Sequence, residues 1–356
     1  MTTLIMMVIA IAVLILAHEL GHFYSARWLR VKVEEFGFGF PPRIFSKVKK
    51  GIRYSINAIP FGGFVKIFGE NGEGKDSPES FTSRPAWQRL FILGAGVLMN
   101  VALAWILFSV VAGIGVPQLA DDANSRIPVS IINVSAHSPA AEKDLRFGDQ
   151  ILEMRSGDLS LRVEKEKDVS DFVDGFRGED VIMVIRRGGN VREITVTPRV
   201  HAPAGEGPLG ISMGRLTTER VAWYLAPVAG IKILWQTLAA TVGGLWFILY
   251  QTIRHGGADV SVSGPVGIYF FGRDVQGLGL SYILQFIAML SVNLAVLNVL
   301  PIPALDGGRI FFVLIEKLRG SRISPAFEAR AHAIGFAFLI LLMGAVTYKD
   351  IVNIFF

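Results

Sequence analysis

The chain has 356 residues, 51% of them hydrophobic, with 35 Lys or Arg against 30 Asp or Glu and a formal net charge of +5; its mean hydropathy, +0.47, is above zero. A soluble domain of this size rarely needs so much apolar surface, so a polytopic membrane protein is expected, and the basic excess, gathered beside apolar runs, speaks for membrane orientation and against a nucleic-acid partner. There is no cysteine, which excludes disulfides and thiolate ligands and leaves His and carboxylate to hold any zinc.

The first apolar run, Leu4 to about Trp28, is long enough to cross a hydrocarbon core of roughly 30 Å at about 1.5 Å per residue. It is expected to remain as an uncleaved span, because Met1 to Met7 carries no Lys or Arg and no small-residue cleavage site follows the run. Its second half contains His18-Glu19-Leu20-Gly21-His22. Two histidines four residues apart project from one helix face about one turn apart, the spacing at which two imidazoles grip one Zn²⁺. Glu19 between them is suited to act as general base toward a water. Ionisable groups at that depth are costly in lipid and mark function by default.

From Arg27 to Arg89 twelve Lys or Arg stand against six Asp or Glu, so this connection is expected on the cytoplasmic side and the first span runs from outside to inside. Arg43 to Lys49 and Ile52 to Ala58 alternate apolar and polar residues around Lys50-Gly51, a hairpin signal within residues 31–67. Pro60-Phe61-Gly62-Gly63-Phe64-Val65-Lys66 follows. Two readings stand: a hairpin that dips into the membrane and offers a strand edge to an extended substrate, or a surface hairpin in the cytoplasm. Asn71 to Ser80 reads as a loop, and residues 90–116 form a second apolar run with Gly94, Gly96 and Asn100 in its early part.

Residues 117–215 change character: charges are frequent, apolar residues alternate and turns recur. Strands are expected at Val129–Val134, Ile151–Met154, Val181–Arg186, Val191–Thr197 and Leu209–Met213, with helices at Ser138–Asp144 and Lys167–Phe176. A small sheet capped by two helices, with Ser-Pro-Ala-Ala and Phe-Gly-Asp-Gln-Ile patterns, looks like an inserted α+β PDZ-like domain, a fold that binds extended peptides at a sheet edge. Residues 222–253 are apolar but contain Lys232, Gln236, Gln251 and Gly243-Gly244. In residues 254–356, a Gly-Pro-Val-Gly turn within Val262 to Gly279 precedes spans at 281–300 and 327–346.

Catalytic zinc takes three protein ligands and keeps one position open. His137 and His201 lie in the soluble domain, His255 follows the doubtful helix and His332 begins the last span. Asp306 fits better, in a stretch where Pro301 and Pro303 break the helix and Gly307-Gly308 let the backbone bend; the alternative is that Asp306 caps the next helix. Parity bears on 222–253. With the PDZ-like domain outside and the histidines near the inner face, a span there would carry Asp306 and its basic neighbours Arg309, Lys317, Arg319 and Arg322 outside. Four transmembrane helices are therefore expected, with 222–253 an interfacial or re-entrant amphipathic segment.

Over nearly the whole chain these motifs resemble the bacterial site-2 proteases: His18 to His22, Phe61-Gly62-Gly63-Phe64-Val65-Lys66, Gly264-Pro265-Val266-Gly267, and Asn298 to Gly308, which is similar to NxxPxPxLDGG. The resemblance implies His18, His22 and Asp306 as zinc ligands, Glu19 as catalytic base and Asn298 as a substrate or transition-state contact. It also implies regulated intramembrane proteolysis of single-span substrates, such as a pre-trimmed anti-sigma factor or remnant signal peptides, in the bacterial inner membrane. The PDZ-like domain would lie outside and contact extracytoplasmic peptides, and the active site would lie near the cytoplasmic side. A catalytically silent, zinc-containing membrane adaptor that presents this domain is the alternative. Two features depart from the pattern: Gly96-Val97-Leu98-Met99-Asn100 lacks the family's proline, and one PDZ-like domain is present where some members have two.

Overall fold

The computed structural model describes residues 2–74, 76–120, 127–135, 137–203, 205–255 and 264–355. In chain order the elements are α1 (Thr2–Trp28), β1 (Val33–Lys49), β2 (Ile52–Ile67), α2 (Ala86–Ile114), β3 (Val116–Leu119), β4 (Val129–Val134), α3 (Pro139–Glu142), β5 (Gln150–Ser156) and β6 (Leu159–Arg162). Then follow α4 (Glu166–Gly175), β7 (Val181–Arg187), β8 (Asn190–Val196), β9 (Ile211–Glu219), α5 (Ala226–His255), α6 (Pro265–Gln276), α7 (Leu280–Val299), α8 (Asp306–Arg319) and α9 (Pro325–Phe355). Two compact units form: Met1–Ser109 with Pro227–Gly264 and Ile287–Tyr348, and Val110–Ala226 with Pro265–Phe286 and Lys349–Phe356.

Among the described residues five helices, α1, α2, α5, α7 and α9, are long and apolar enough to cross a membrane. With the β-rich region they fit a polytopic membrane protein. In the first unit α1 and α2 approach backbone to backbone at Gly21, where an added Cβ would collide with the Ala95 carbonyl; small residues allow such contact where lipid supplies no hydrophobic drive. Ser291 Oγ on α7 donates to the Asn100 carbonyl of α2 at 2.8 Å. The first half of α5 packs on both, Leu234 clustering with Ala104, Phe108, Ala288 and Val292, and Thr241 Oγ1 donates to Asn293 Oδ1 at 3.0 Å. Its second half leaves Trp246 and Ile253 exposed. The segment expected at an interface thus packs over half its length. Residues 256–263, with Val262 and Ser263 at the start of the Val262–Gly279 stretch, lie outside the described residues, and α6 starts on Pro265, whose missing N–H costs nothing at a helix start.

β1 and β2 fall within the hairpin expected over 31–67 but are longer than the alternating stretches 43–49 and 52–58, and each works as two pieces. Segment 43–49 pairs antiparallel with 52–57 around Lys50 and Gly51, both at positive φ as a tight hairpin turn requires. The first part of β1, 33–38, lies between 52–56, which it meets in parallel, and 63–67, which it meets antiparallel. The result is four segments in the order 43–49, 52–57, 33–38, 63–67. The central segment was not legible because Glu34 and Glu35 interrupt its apolar alternation; Glu35 is nevertheless buried, paired with Arg53 of the adjacent segment at 3.6 Å and with Arg43 of the segment beyond it at 3.0 Å.

The second unit contains a seven-stranded sheet in the order β3-β9-β4-β5-β7-β8, with β6 on β5. The five strands and two helices expected in this region form, β9 extending to Glu219; β3 and β6, four residues each, were not expected. Val129, Ile131, Ile151, Met154, Val181, Met183 and Ile185 point into one core closed by Val169, Phe172 and Val173 of α4. Asp149, fully buried, accepts two bonds of 2.6 Å from Arg187 and one of 2.9 Å from the Arg146 N–H, fixing the turn into β5.

Candidate metal centre

α1 carries His18 and His22 on one face, and both are buried. α7 ends at Val299, two prolines prevent its continuation, and the chain reverses through residues 300–305 into α8, whose first residue is Asp306. The reversal is tight. A Cβ on Gly307 would collide with the Val299 and Leu300 carbonyls, and one on Gly308 would lie 2.8 Å from the Ile302 carbonyl carbon, so α8 can sit on the reversal only with glycine at both positions. The Asp306 carboxylate is thereby aimed at α1.

His18 Nε2 and Asp306 Oδ2 are 2.9 Å apart, His22 Nε2 and Asp306 Oδ2 3.3 Å, and the two Nε2 atoms 3.2 Å. Ligands held at about 2.0–2.1 Å by a tetrahedral zinc lie about 3.3–3.4 Å from one another, so the triangle fits one face of such a site. Asp306 Oδ2 is buried and makes no hydrogen bond of acceptable geometry, another mark of a position shaped for a cation. Two imidazoles and a carboxylate are a donor set that suits zinc and leaves one position for the reaction.

The distal ring nitrogens are held as well. His22 Nδ1 donates to the Ile92 carbonyl at 2.9 Å. His18 Nδ1 lies 3.3 Å from the Asn100 amide, whose Oδ1 has no partner. With Nε2 turned to a metal, Nδ1 carries the proton, so the Asn100 amide turned by 180° would satisfy both groups. α2 runs unbroken through Gly96 to Asn100, so the missing proline leaves a continuous helix. Gly96 provides the room: a Cβ there would collide with His22 Nε2 and lie 2.7 Å from His18 Cε1.

Glu19 is half-buried, beside edge segment 63–67. A Cβ on Gly63 would lie 3.2 Å from Glu19 Cγ, and the Glu19 carboxylate accepts a backbone hydrogen bond from Val65. Asn298 is buried on the last turn of α7 and its side chain makes no hydrogen bond among the described residues. His332, set aside above as a ligand, has a different task. Its Nδ1 accepts the N–H of Ala304 at 2.7 Å, and Ala304 is a non-glycine residue at φ +82° two positions before Asp306. Gly96 stood out in the sequence as a small residue and as part of a motif, but nothing local announces what it makes room for, nor the task of His332; both act on groups far away in the chain.

The family model described as peptidase family M50 matches residues 6–342. The chain belongs to peptidase family M50. It is thus a site-2-protease-type metalloprotease whose cofactor is zinc. Similar M50 proteins include one from Clostridium acetobutylicum, 31% identical over 352 residues, 98% of this chain and 97% of the relative. Another is from Clostridium perfringens, 34% identical over 354 residues and 98% of both chains; both are provisionally named zinc metalloproteases. The zinc metalloprotease RasP of Oceanobacillus iheyensis is 28% identical over 443 residues, covering both chains completely.

Proposed function

We propose that this M50 protease cleaves single-span membrane proteins within their transmembrane segments, with anti-sigma factors already trimmed outside and remnant signal peptides as substrates. The observation that carries the reading is the meeting of His18, His22 and Asp306 Oδ2 within 3.3 Å of one another, with Glu19 and the strand edge at 63–67 alongside. Zinc held by these three residues supplies Lewis acidity that makes water acidic near neutral pH and polarises a carbonyl. Glu19 takes the proton from the attacking water and returns it to the leaving nitrogen. The buried, unpartnered Asn298 amide donates to the oxyanion that develops on the scissile carbonyl.

A helical peptide hides its carbonyls, so the substrate must be unwound before it can react. Segment 63–67 pairs with β1 on one side only. Its other edge takes the unwound substrate as an added strand and lays it past Glu19.

In this reading α1, α2, α7 and α9 cross the bacterial inner membrane, the metal centre lies near the cytoplasmic end of α1, and the basic segments on either side of it obey the positive-inside bias. α5 enters from outside beside α2 and α7 without completing a crossing. Residues 117–215 form an outer PDZ-like filter, supported by a concavity of about 580 Å³ along β9 and the start of α4, lined by Met213, Arg215 and Lys165. The deciding experiment is cleavage of a single-span substrate in liposomes: Glu19→Gln should abolish it, and full activity in that variant overturns the reading.

A further inference from the structure

The hairpin carries a second site unrelated to the zinc chemistry. Lys47 and Lys49 share one face of segment 43–49 by the two-residue alternation of a strand, and in register they oppose Tyr54 and Ile52. That face and Arg27, in the last turn of α1, enclose a concavity of about 510 Å³ lined by Arg27, Lys47, Lys49, Lys50, Ile52 and Tyr54. Four cations line it and no carboxylate does. Among the described residues none of the four forms an ion pair; the one electrostatic contact is Arg27 over the Phe23 ring, at 5.6 Å from the centroid. The acids of the sheet, Glu34 and Glu35, are already held elsewhere, Glu34 by Lys66 and Glu35 by Arg43 and Arg53. Four like charges around one hollow repel one another unless an anion sits among them.

The position in the fold names the anion. Arg27 follows about 36 Å of helix from Thr3, just beyond a hydrocarbon core of roughly 30 Å. Tyr24 and Trp28, both well exposed, flank it as the aromatic belt at a membrane surface does. We propose that this hollow binds the phosphate of an acidic phospholipid headgroup, Arg27 and the three lysines neutralising it and the Tyr54 hydroxyl adding a donor. The bound lipid ties the hairpin turn to the end of α1. Since β2 runs from this turn to Gly63 and Val65, the lipid also steadies the strand edge beside Glu19.

The test is native mass spectrometry of the full-length zinc-loaded protein released from bilayers of phosphatidylcholine with phosphatidylglycerol. Retention of phosphatidylglycerol over phosphatidylcholine is expected, with apparent affinity falling at least tenfold in Lys47→Gln/Lys49→Gln/Lys50→Gln and severalfold in Arg27→Gln. A control variant, Lys317→Gln/Arg319→Gln, removes two exposed charges from α8 and should retain lipid as the parent does. Equal loss in the control and the triple variant would overturn the proposal in favour of diffuse attraction. So would unchanged retention in both the triple variant and Arg27→Gln, or full displacement of the lipid by inorganic phosphate at equal concentration, which would make the site one for free anions. Zinc content equal to the parent's shows that a variant is folded.

Discussion

Gly96 and His22 occupy space that cannot be shared with one more carbon: a Cβ on Gly96 would fall within contact distance of His22 Nε2 and 2.7 Å from His18 Cε1. In an ordinary helix interior, Gly to Ala stabilises by about 0.5–1 kcal/mol. Gly96→Ala should do the reverse at the metal centre. We expect helix content and thermal unfolding close to the parent's, with zinc occupancy and cleavage each reduced at least tenfold. Metal analysis beside a cleavage assay decides it, and full occupancy would show that the imidazoles have more freedom than their packing indicates.

Zinc binding and proton transfer should separate by mutation. Asp306→Ala and His22→Ala remove donors that lie 3.3 Å apart and should lose the metal during purification. Glu19→Gln leaves all three donors in place and should keep one zinc per chain while cleavage drops by about 10²–10⁴. A metal-free Glu19→Gln protein would make Glu19 a ligand.

Asn100 tests the support beneath the ligands. Asn100→Leu removes the acceptor that His18 Nδ1 needs when Nε2 faces the metal, and zinc affinity should fall about 10–100-fold. Asn100→Asp keeps an acceptor and should retain most of it. Dissociation of zinc to a chelator measures both, and equal affinities for the two variants would reduce Asn100 to packing between helices.

His332 should act as a positioning residue for Asp306, through the Ala304 N–H it accepts at 2.7 Å. In His332→Leu that half-buried donor, on a residue held at positive φ, loses its partner, and zinc should leave faster at unchanged KM. His332→Asn restores an acceptor at nearly the same place and should recover zinc retention and kcat. Failure of Asn to outperform Leu would leave His332 a filler of space against Phe312, whose ring centroid is 5.7 Å away.

The β-rich unit has its own weak point. Arg187→Met leaves the fully buried Asp149 carboxylate without its strongest partner and should cost about 3–5 kcal/mol. Limited proteolysis should then cut within residues 127–215 while the zinc remains bound. Loss of zinc in parallel would show that the two units unfold together.

The candidate metal centre was largely legible in the sequence because its chemistry is local: the two imidazoles stand four positions apart on one helix, and two prolines with two glycines mark where a carboxylate can be turned inward. What supports it was hidden. His332 meets the loop from another helix, and Gly96 matters only because α1 lies against it. The hairpin turn was legible because Lys50-Gly51 suits positive φ, while segment 33–38 was not, since the partners that neutralise Glu35 come from later segments of the sheet. For residues 222–253 Lys232 and Gln236 suggested an interfacial or re-entrant segment, and Leu234 between them packs against α2 and α7, a contact no local pattern announces.

The reversal at Pro301 to Leu305 also sets a time at which the enzyme comes into being. His18 and His22 leave the ribosome long before Asp306, which waits until α7 has been synthesised and the chain has turned. A nascent chain inserted through its first two helices therefore holds only two donors, too few for a stable catalytic site. With zinc held by all three residues as proposed, a product truncated before Asp306 is expected to be inactive.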